Sequence, residues 1–386
     1  MSAPRNPALT GIRAVAALLV CATHAAFWTG RYTDDLPGRF FARLEVGVPI
    51  FFVLSGLLLF GPWVRSLADN RPPPSVGHYA RQRIRRILPA YVVTVLVVYA
   101  IFAWWRTDTS TLGHGLDGLL RHLTLTQIYG FGHLHSGLTQ MWSLSVEVAF
   151  YVCLPPLAWL LTRVACAGRW RPGALLLGLT ALAAISPIWA VLTHSGNRID
   201  PTAGLWPPGF ASWFAGGMAL AVVAEISTRR MATGGSGLRC LPILSVPVAV
   251  LAFQLSCTDV AGEPTITPAT AGATIVKHAL YLVVALGLIA PLVLEPRDTW
   301  WHRTLSWRPL VWLGEISYEF FLVHLMVLEL MMDVLGYRVF TGSTTAAFVA
   351  TTAFSIPIAW LLHRLTWWSA RHEPNSRTRQ SVPSKT

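Results

Sequence analysis

Charge is what this sequence has least of. Only 12% of its 386 residues are Asp, Glu, Lys or Arg, about half the share found in ordinary soluble chains. Acidic groups are the scarcer kind, 18 against 30 basic ones, which leaves too little charge for a conventional solvated surface. Cysteine is also sparse. The five lie in apolar stretches (Cys21, Cys153, Cys257) or in loops (Cys166, Cys240) with no metal-type spacing, and they read as packing residues. No small-residue cleavage site follows the first apolar stretch, which excludes a removed signal peptide and implies a retained span. No internal repeat is strong enough to suggest an inverted-repeat transporter.

Apolar residues are plentiful, at 53%, and seventeen tryptophans suit aromatic belts at two membrane interfaces. Stretches of about 20 apolar residues, the length that crosses a bilayer, fall near 8–29, 44–64, 85–105, 138–162, 173–193, 209–226, 241–257, 276–294, 309–334 and 343–363. The expected fold is therefore all-α, a polytopic membrane helix bundle of about ten transmembrane helices in the cell membrane. Pro155-Pro156, Pro187, Pro247 and Pro357 are expected to break their spans.

A net charge of +12 on a soluble protein would suggest nucleic acid. Here the excess has a simpler home. One alternating set of loops, with the two tails, holds 21 of the 30 basic residues, whereas the other set holds eight. By the positive-inside rule both termini are cytoplasmic, and no nucleic-acid partner is expected. Residues 1–370 read as one membrane domain, and 371–386, polar and rich in Pro, Ser and Arg, as a disordered cytoplasmic tail. The longest outside loop, 106–137, holds four histidines and a short amphipathic helix near 116–129. It reads as a lid or interfacial element. His133 and His135 are metal-type ligands, but spacing marks no third, so no metal is expected.

Four stretches carry candidate chemistry. In the first span, Arg13 and His24 are eleven residues apart, three helical turns plus ~20°, so they share a face about 16 Å apart along the axis. An ionisable residue inside a membrane helix faces a cavity, a partner or the interface; Arg13 could also snorkel to headgroups and His24 bond a neighbouring helix. The segment Tyr79–Pro89 places Arg81, Arg83, Arg85 and Arg86 at the cytoplasmic mouth of the third span. Their planar forks suit a phosphorylated cytoplasmic ligand, or lipid headgroups. Gln140–Glu147 opens the fourth span. Its carboxylate, at a depth similar to that of His24, could orient the imidazole as a general base. In Leu313–His324, Ser317 and His324 roughly share a face, for chemistry or for helix–helix bonding.

Together these stretches resemble the acyltransferase-3 family of integral membrane O-acyltransferases. Arg13 and His24 match its arginine–ten residues–histidine motif, and Val48–Gly56 its FFxLSG signature. Arg83–Arg86 looks like its RxxR motif, Trp142–Glu147 its WSLxxE segment, and Ser317-Tyr318 with His324 its SYxxYLxH segment. Order and spacing hold over roughly residues 8–365. Thr10 and Pro49 stand where the family often has Asp, Phe321 where Tyr is common, and Val148 where a second acid is frequent. The chain leaves no room for the SGNH hydrolase domain fused to many relatives.

The resemblance implies transfer of an acyl group, most often acetyl, from cytoplasmic acyl-CoA to a hydroxyl of a glycan, lipid-linked sugar or glycosylated metabolite. Arg83 and Arg86 would then hold CoA phosphates and Arg13 would guide the thioester. His24 and Glu147 would be catalytic, supported by Ser145, Ser317 and His324. Membrane lipids are the surrounding partners and no metal is required. The alternative is a proton-coupled exporter of a sugar or antibiotic, with His24, Glu147 and His324 as a proton relay. A lipid-binding scaffold would leave the Arg/His face unexplained.

Overall fold

The structure, a computed structural model, describes residues 6–105, 113–130, 132–195, 200–233, 241–264, 270–294 and 299–371. The expected disordered tail, past residue 371, lies outside the described residues. Among the described residues the chain is helical, without strands. In order, the helices are α1 (Pro7–Trp28), α2 (Leu36–Arg43), α3 (Gly47–Ala68), α4 (Val76–Trp105), α5 (Leu116–Leu123), α6 (Met141–Trp159), α7 (Pro172–Ala183) and α8 (Ile185–His194). They are followed by α9 (Ala211–Ala232), α10 (Leu241–Ser256), α11 (Ala271–Leu294), α12 (Trp300–Leu305), α13 (Arg308–Glu315), α14 (Ser317–Val334) and α15 (Thr344–Arg371).

Each of the ten expected spans coincides with a helical segment, but not every segment is a full-length one. Among the described residues, eight helical stretches are long and apolar enough to cross a bilayer, and α13 with α14, bent by 74°, makes a ninth. The tenth, α10, has 16 residues, about 24 Å of helix against a hydrocarbon core of about 30 Å. It packs along α11. The fully buried Arg43 holds its C-terminal end, donating to the carbonyls of Ser256 (2.7 Å), Ala261 (3.1 Å) and Gly262 (2.6 Å).

The prolines behave differently from expectation. Pro155-Pro156, Pro247 and Pro357 stay inside α6, α10 and α15, while Pro187 sits in the first turn of α8, just beyond the break at Ala184. A proline removes one donor and crowds one carbonyl; packed neighbours let the membrane helix run on.

The first span is fixed tightly at its N-terminal half. A Cβ on Gly11 would collide with the carbonyl of Leu305, and one on Gly314 with the carbonyl of Thr10. Only glycine lets these backbones approach, and the approach sets the rotation of α1 that aims Arg13 inward.

The loop carrying the histidines is compact. Helix α5 is shorter than expected and leaves Leu116 and Leu120 exposed on one face, which suits contact with the membrane interface. His122 and His135 are buried, His135 stacks on His114 at 4.0 Å between ring centres, and His133 pairs with Asp117 at 3.0 Å. Burial, with minor help from neighbouring histidines, holds His122 at about 4 and His135 at about 3, below the usual 6.5. Both rings are thus neutral in the folded loop at neutral pH. Above pH 6.5 folded and unfolded forms carry the same charge there. As pH falls from about 6.5 towards 4, only the unfolded loop takes up protons, so stability is lost progressively. Limited proteolysis between residues 113 and 138 should be slow at pH 7.5 and distinctly faster at pH 4.5; equal rates would show that these rings are not held neutral by burial.

Candidate active site

Helices α1, α3, α4, α6 and α14 enclose a cavity of about 210 Å³. Arg13 enters it from α1, Arg83 and Arg86 from α4, Glu147 and Tyr151 from α6, and Ser55 from α3. The first turn of α14 adds Ser317 and Tyr318, and Phe321 follows one turn on. Three guanidinium groups therefore share the cavity with one carboxylate, and Arg13 lies within electrostatic reach of Arg83, Arg86 and Glu147.

The local sequence explains how this arises. Residues 79–87 of α4 are tied at both ends: Tyr79 Oη donates to the carbonyl of Tyr151 (3.2 Å), and Tyr318 Oη donates to the carbonyl of Ile87 (3.0 Å). Between the ties, Arg83 and Arg86 are three apart and face the same way. Arg83 is half-buried and its Nε is a buried donor with no partner among the described residues; Arg86 is exposed. The free donor and the surplus of guanidinium suit an anionic ligand such as phosphate.

Glu147 is not paired with His24. Its Oε1 accepts from Ser55 Oγ and from Tyr151 Oη (2.6 Å), so the expected His–Glu pair is replaced by a hydroxyl-clamped carboxylate. The expectation rested on similar depth; depth leaves open which face of each helix turns inward. Tyr151 was missed, although its spacing of four from Glu147 on one helix was a legible signal. Ser55 was likewise in view within Val48–Gly56 without being assigned a part.

Three other expected residues lie outside the cavity lining. Ser145 is buried with its Oγ on the carbonyl of Met141 (3.3 Å), one turn back; Ser143, two residues earlier, lines the cavity instead. Ser317 reaches the lining but spends its hydroxyl on the carbonyl of Gly314 (2.8 Å). His24 and His324 lie beside each other, ring centres 5.4 Å apart. The ring of Phe321, on the cavity wall, is 5.8 Å from that of His324. A proton relay through His24, Glu147 and His324 is thus not assembled: the carboxylate belongs to the cavity and the two rings to a neighbouring cluster.

Comparison with known proteins identifies the family. The acyltransferase-3 family, an acyltransferase domain, matches residues 6–364. The acyltransferase MdmB of Streptomyces mycarofaciens is 30% identical, covering 93% of this chain and 90% of its own length. The peptidoglycan O-acetyltransferase OatA of Listeria monocytogenes is 26% identical over 85% of this chain, and the putative peptidoglycan O-acetyltransferase YrhL of Bacillus subtilis 28% over 84%. This chain spans about half the length of those two, 50% and 49%. No solved structure matches it. With eight to nine membrane-length helices among the described residues and the family match running through the arginine cavity, the chain belongs to the acyltransferase-3 family, as a multi-pass acyltransferase of the cell membrane.

Proposed function

We propose that this protein moves an acyl group, acetyl in the first instance, from cytoplasmic acyl-CoA to a hydroxyl of a glycan, lipid-linked sugar or glycosylated metabolite. The observation that carries the reading is the cavity itself, with three arginines and one clamped carboxylate. Arg83 and Arg86, near the start of α4, hold the CoA phosphates. Arg13, deeper in the bundle, receives the pantetheine arm and its thioester. The acceptor oxygen attacks the thioester carbonyl carbon; a C–O bond forms and the C–S bond breaks. The hydroxyl proton goes to the imidazole of His24, and the departing sulfur ends as the free thiol of CoA. Glu147, bonded to Ser55 and Tyr151, keeps the cavity wall polar and balances part of the arginine charge. Relatives named as peptidoglycan O-acetyltransferases support a hydroxyl acceptor.

The test is acetyl-CoA consumption by purified protein with mass-spectrometric detection of the ester. An exporter has no reason to consume thioester, so intact acetyl-CoA in the presence of surface glycans and metabolites from the source cell would reject the reading.

The same reading requires the arginines to face the cytoplasm, and hence both termini as well. Ten crossings, α10 included, satisfy this. Reporter fusions after Ser195, after Thr233 and after Glu263 should read outside, inside and outside. The reverse order would put the arginine cavity on the wrong side for acyl-CoA, and an inside result after Glu263 would show that α10 does not cross.

A further inference from the structure

Two of the four arginines on α4 take no part in the arginine cavity. By the helical repeat, Arg81, Arg85, Leu88 and Val92 fall on one stripe about 60° wide, whereas Arg83 and Arg86 lie about 100–160° round from Arg85. The cavity lining follows the same division, taking Arg83 and Arg86 and neither of the others. Arg81 and Arg85 are exposed.

Their stripe runs into a groove. Helices α4 and α15 pack together, and between them lies an open furrow of about 440 Å³, walled by Leu88, Val92 and Val93 on one side and Leu362 and Leu365 on the other. Among the described residues, Thr366 is the one polar side chain in the lining, and its hydroxyl donates to the carbonyl of Leu362 (2.9 Å) in its own helix. No lining side chain is left to hydrogen-bond an occupant, so the furrow suits hydrocarbon. Along the axis, Arg85 stands about 4.5 Å and Arg81 about 10.5 Å before Leu88. Paired guanidinium groups followed within a turn by an apolar furrow match a molecule with an anionic head and a hydrocarbon tail. A soluble phosphate would use the arginines alone, and an uncharged lipid the furrow alone.

We propose that α4 and α15 hold one anionic phospholipid, with an acyl chain in the furrow and the headgroup phosphate on Arg81 and Arg85. Guanidinium forks fit phosphate oxygens, and basic side chains beside a membrane span attract anionic headgroups. Ile87, next to Leu88, has its carbonyl tied to Tyr318 of the arginine cavity. The lipid therefore braces, from outside, the segment of α4 that presents Arg83 and Arg86 inside. The inference does not depend on the acyltransferase reading.

The probes are phosphatidylglycerol and phosphatidylcholine of identical chains, titrated into detergent-purified protein and read by native mass spectrometry and by melting temperature. Wild type should retain one phosphatidylglycerol at about tenfold lower concentration than phosphatidylcholine, and a lipid that binds the folded state should raise the melting temperature. Arg81→Gln with Arg85→Gln should abolish the preference. Val93→Trp, which fills the furrow and keeps both arginines, should weaken phosphatidylglycerol retention by about tenfold. Arg163→Gln with Arg169→Gln, at another basic loop, should leave the preference intact, and sn-glycerol 3-phosphate, a head without chains, should not raise the melting temperature at matched concentration. Lipid-free melting temperatures within a few degrees of wild type show that the variants are folded. Equal retention of the two lipids, a preference that survives loss of Arg81 and Arg85, or one lost equally with Arg163 and Arg169 would overturn the proposal. So would wild-type retention by Val93→Trp, or stabilisation by sn-glycerol 3-phosphate equal to that by the lipid, which would make the arginines a site for soluble phosphate.

Discussion

Replacing His24 with alanine is expected to lower kcat by about 10²–10⁴-fold, the usual contribution of a general base, while acyl-CoA still binds. A hydroxyl is a poor nucleophile at neutral pH and must shed its proton as it attacks the thioester carbonyl. An imidazole, with an unperturbed pKa of about 6.5, is mostly neutral at pH 7 and free to take it. His24→Gln keeps hydrogen-bonding capacity but has no basic nitrogen, and should be nearly as poor as alanine. Because the ring lies beside His324 and outside the arginine cavity, neither change should disturb donor affinity. His324→Ala is the comparison. Near wild-type turnover by His24→Gln, in correctly inserted protein, would make the ring a packing residue and defeat the mechanism.

The second large effect concerns the arginines. Substituting Arg83 and Arg86 together by glutamine should raise the acyl-CoA KM by about 10–150-fold for the loss of one charge-assisted bond, each worth about 1.5–3 kcal/mol, and by more if both bonds are lost. Arg83 should account for the larger part, because it is half-buried with an unpartnered Nε, whereas Arg86 is exposed and screened by solvent. The acceptor KM should hardly move. Unchanged acyl-CoA affinity in a folded, inserted double variant would return the cluster to lipid-headgroup binding and membrane orientation.

The helices were legible because the bilayer demands them: backbone polar groups there must be satisfied within the segment, and ten apolar stretches carry that demand openly. What they left open was rotation. Ser143 and Ser145 differ by two residues, about 200° around α6, and only the packing of α3, α4 and α14 decides that Ser143 meets the cavity. The same blindness paired Glu147 with His24 by depth, when its real neighbours are a tyrosine one turn along and a serine from another helix. Arg13, Arg83 and Arg86 were easier, since charge in or beside an apolar span has few places to go. Phe321 was the opposite case. An aromatic residue in an apolar helix is unremarked in a sequence, and its place on the cavity wall beside His324 exists only once α14 is folded against α1 and α4.

The short helix α10 has a mechanical consequence. As the proposed tenth crossing it would be about 6 Å shorter than the hydrocarbon core, by the usual rise per residue. Such hydrophobic mismatch is relieved by thinning the bilayer or by drawing flanking residues inward, at a fraction of a kcal/mol per Å. Arg43 grips the carbonyls at and just beyond the C-terminal end of α10, so that end cannot slide. The mismatch would therefore be taken up at the Leu241 end, thinning the annular lipid there on one side only. That proposal puts α10, packed along α11, at a thinned edge of the membrane, while the arginine cavity is lined by other helices.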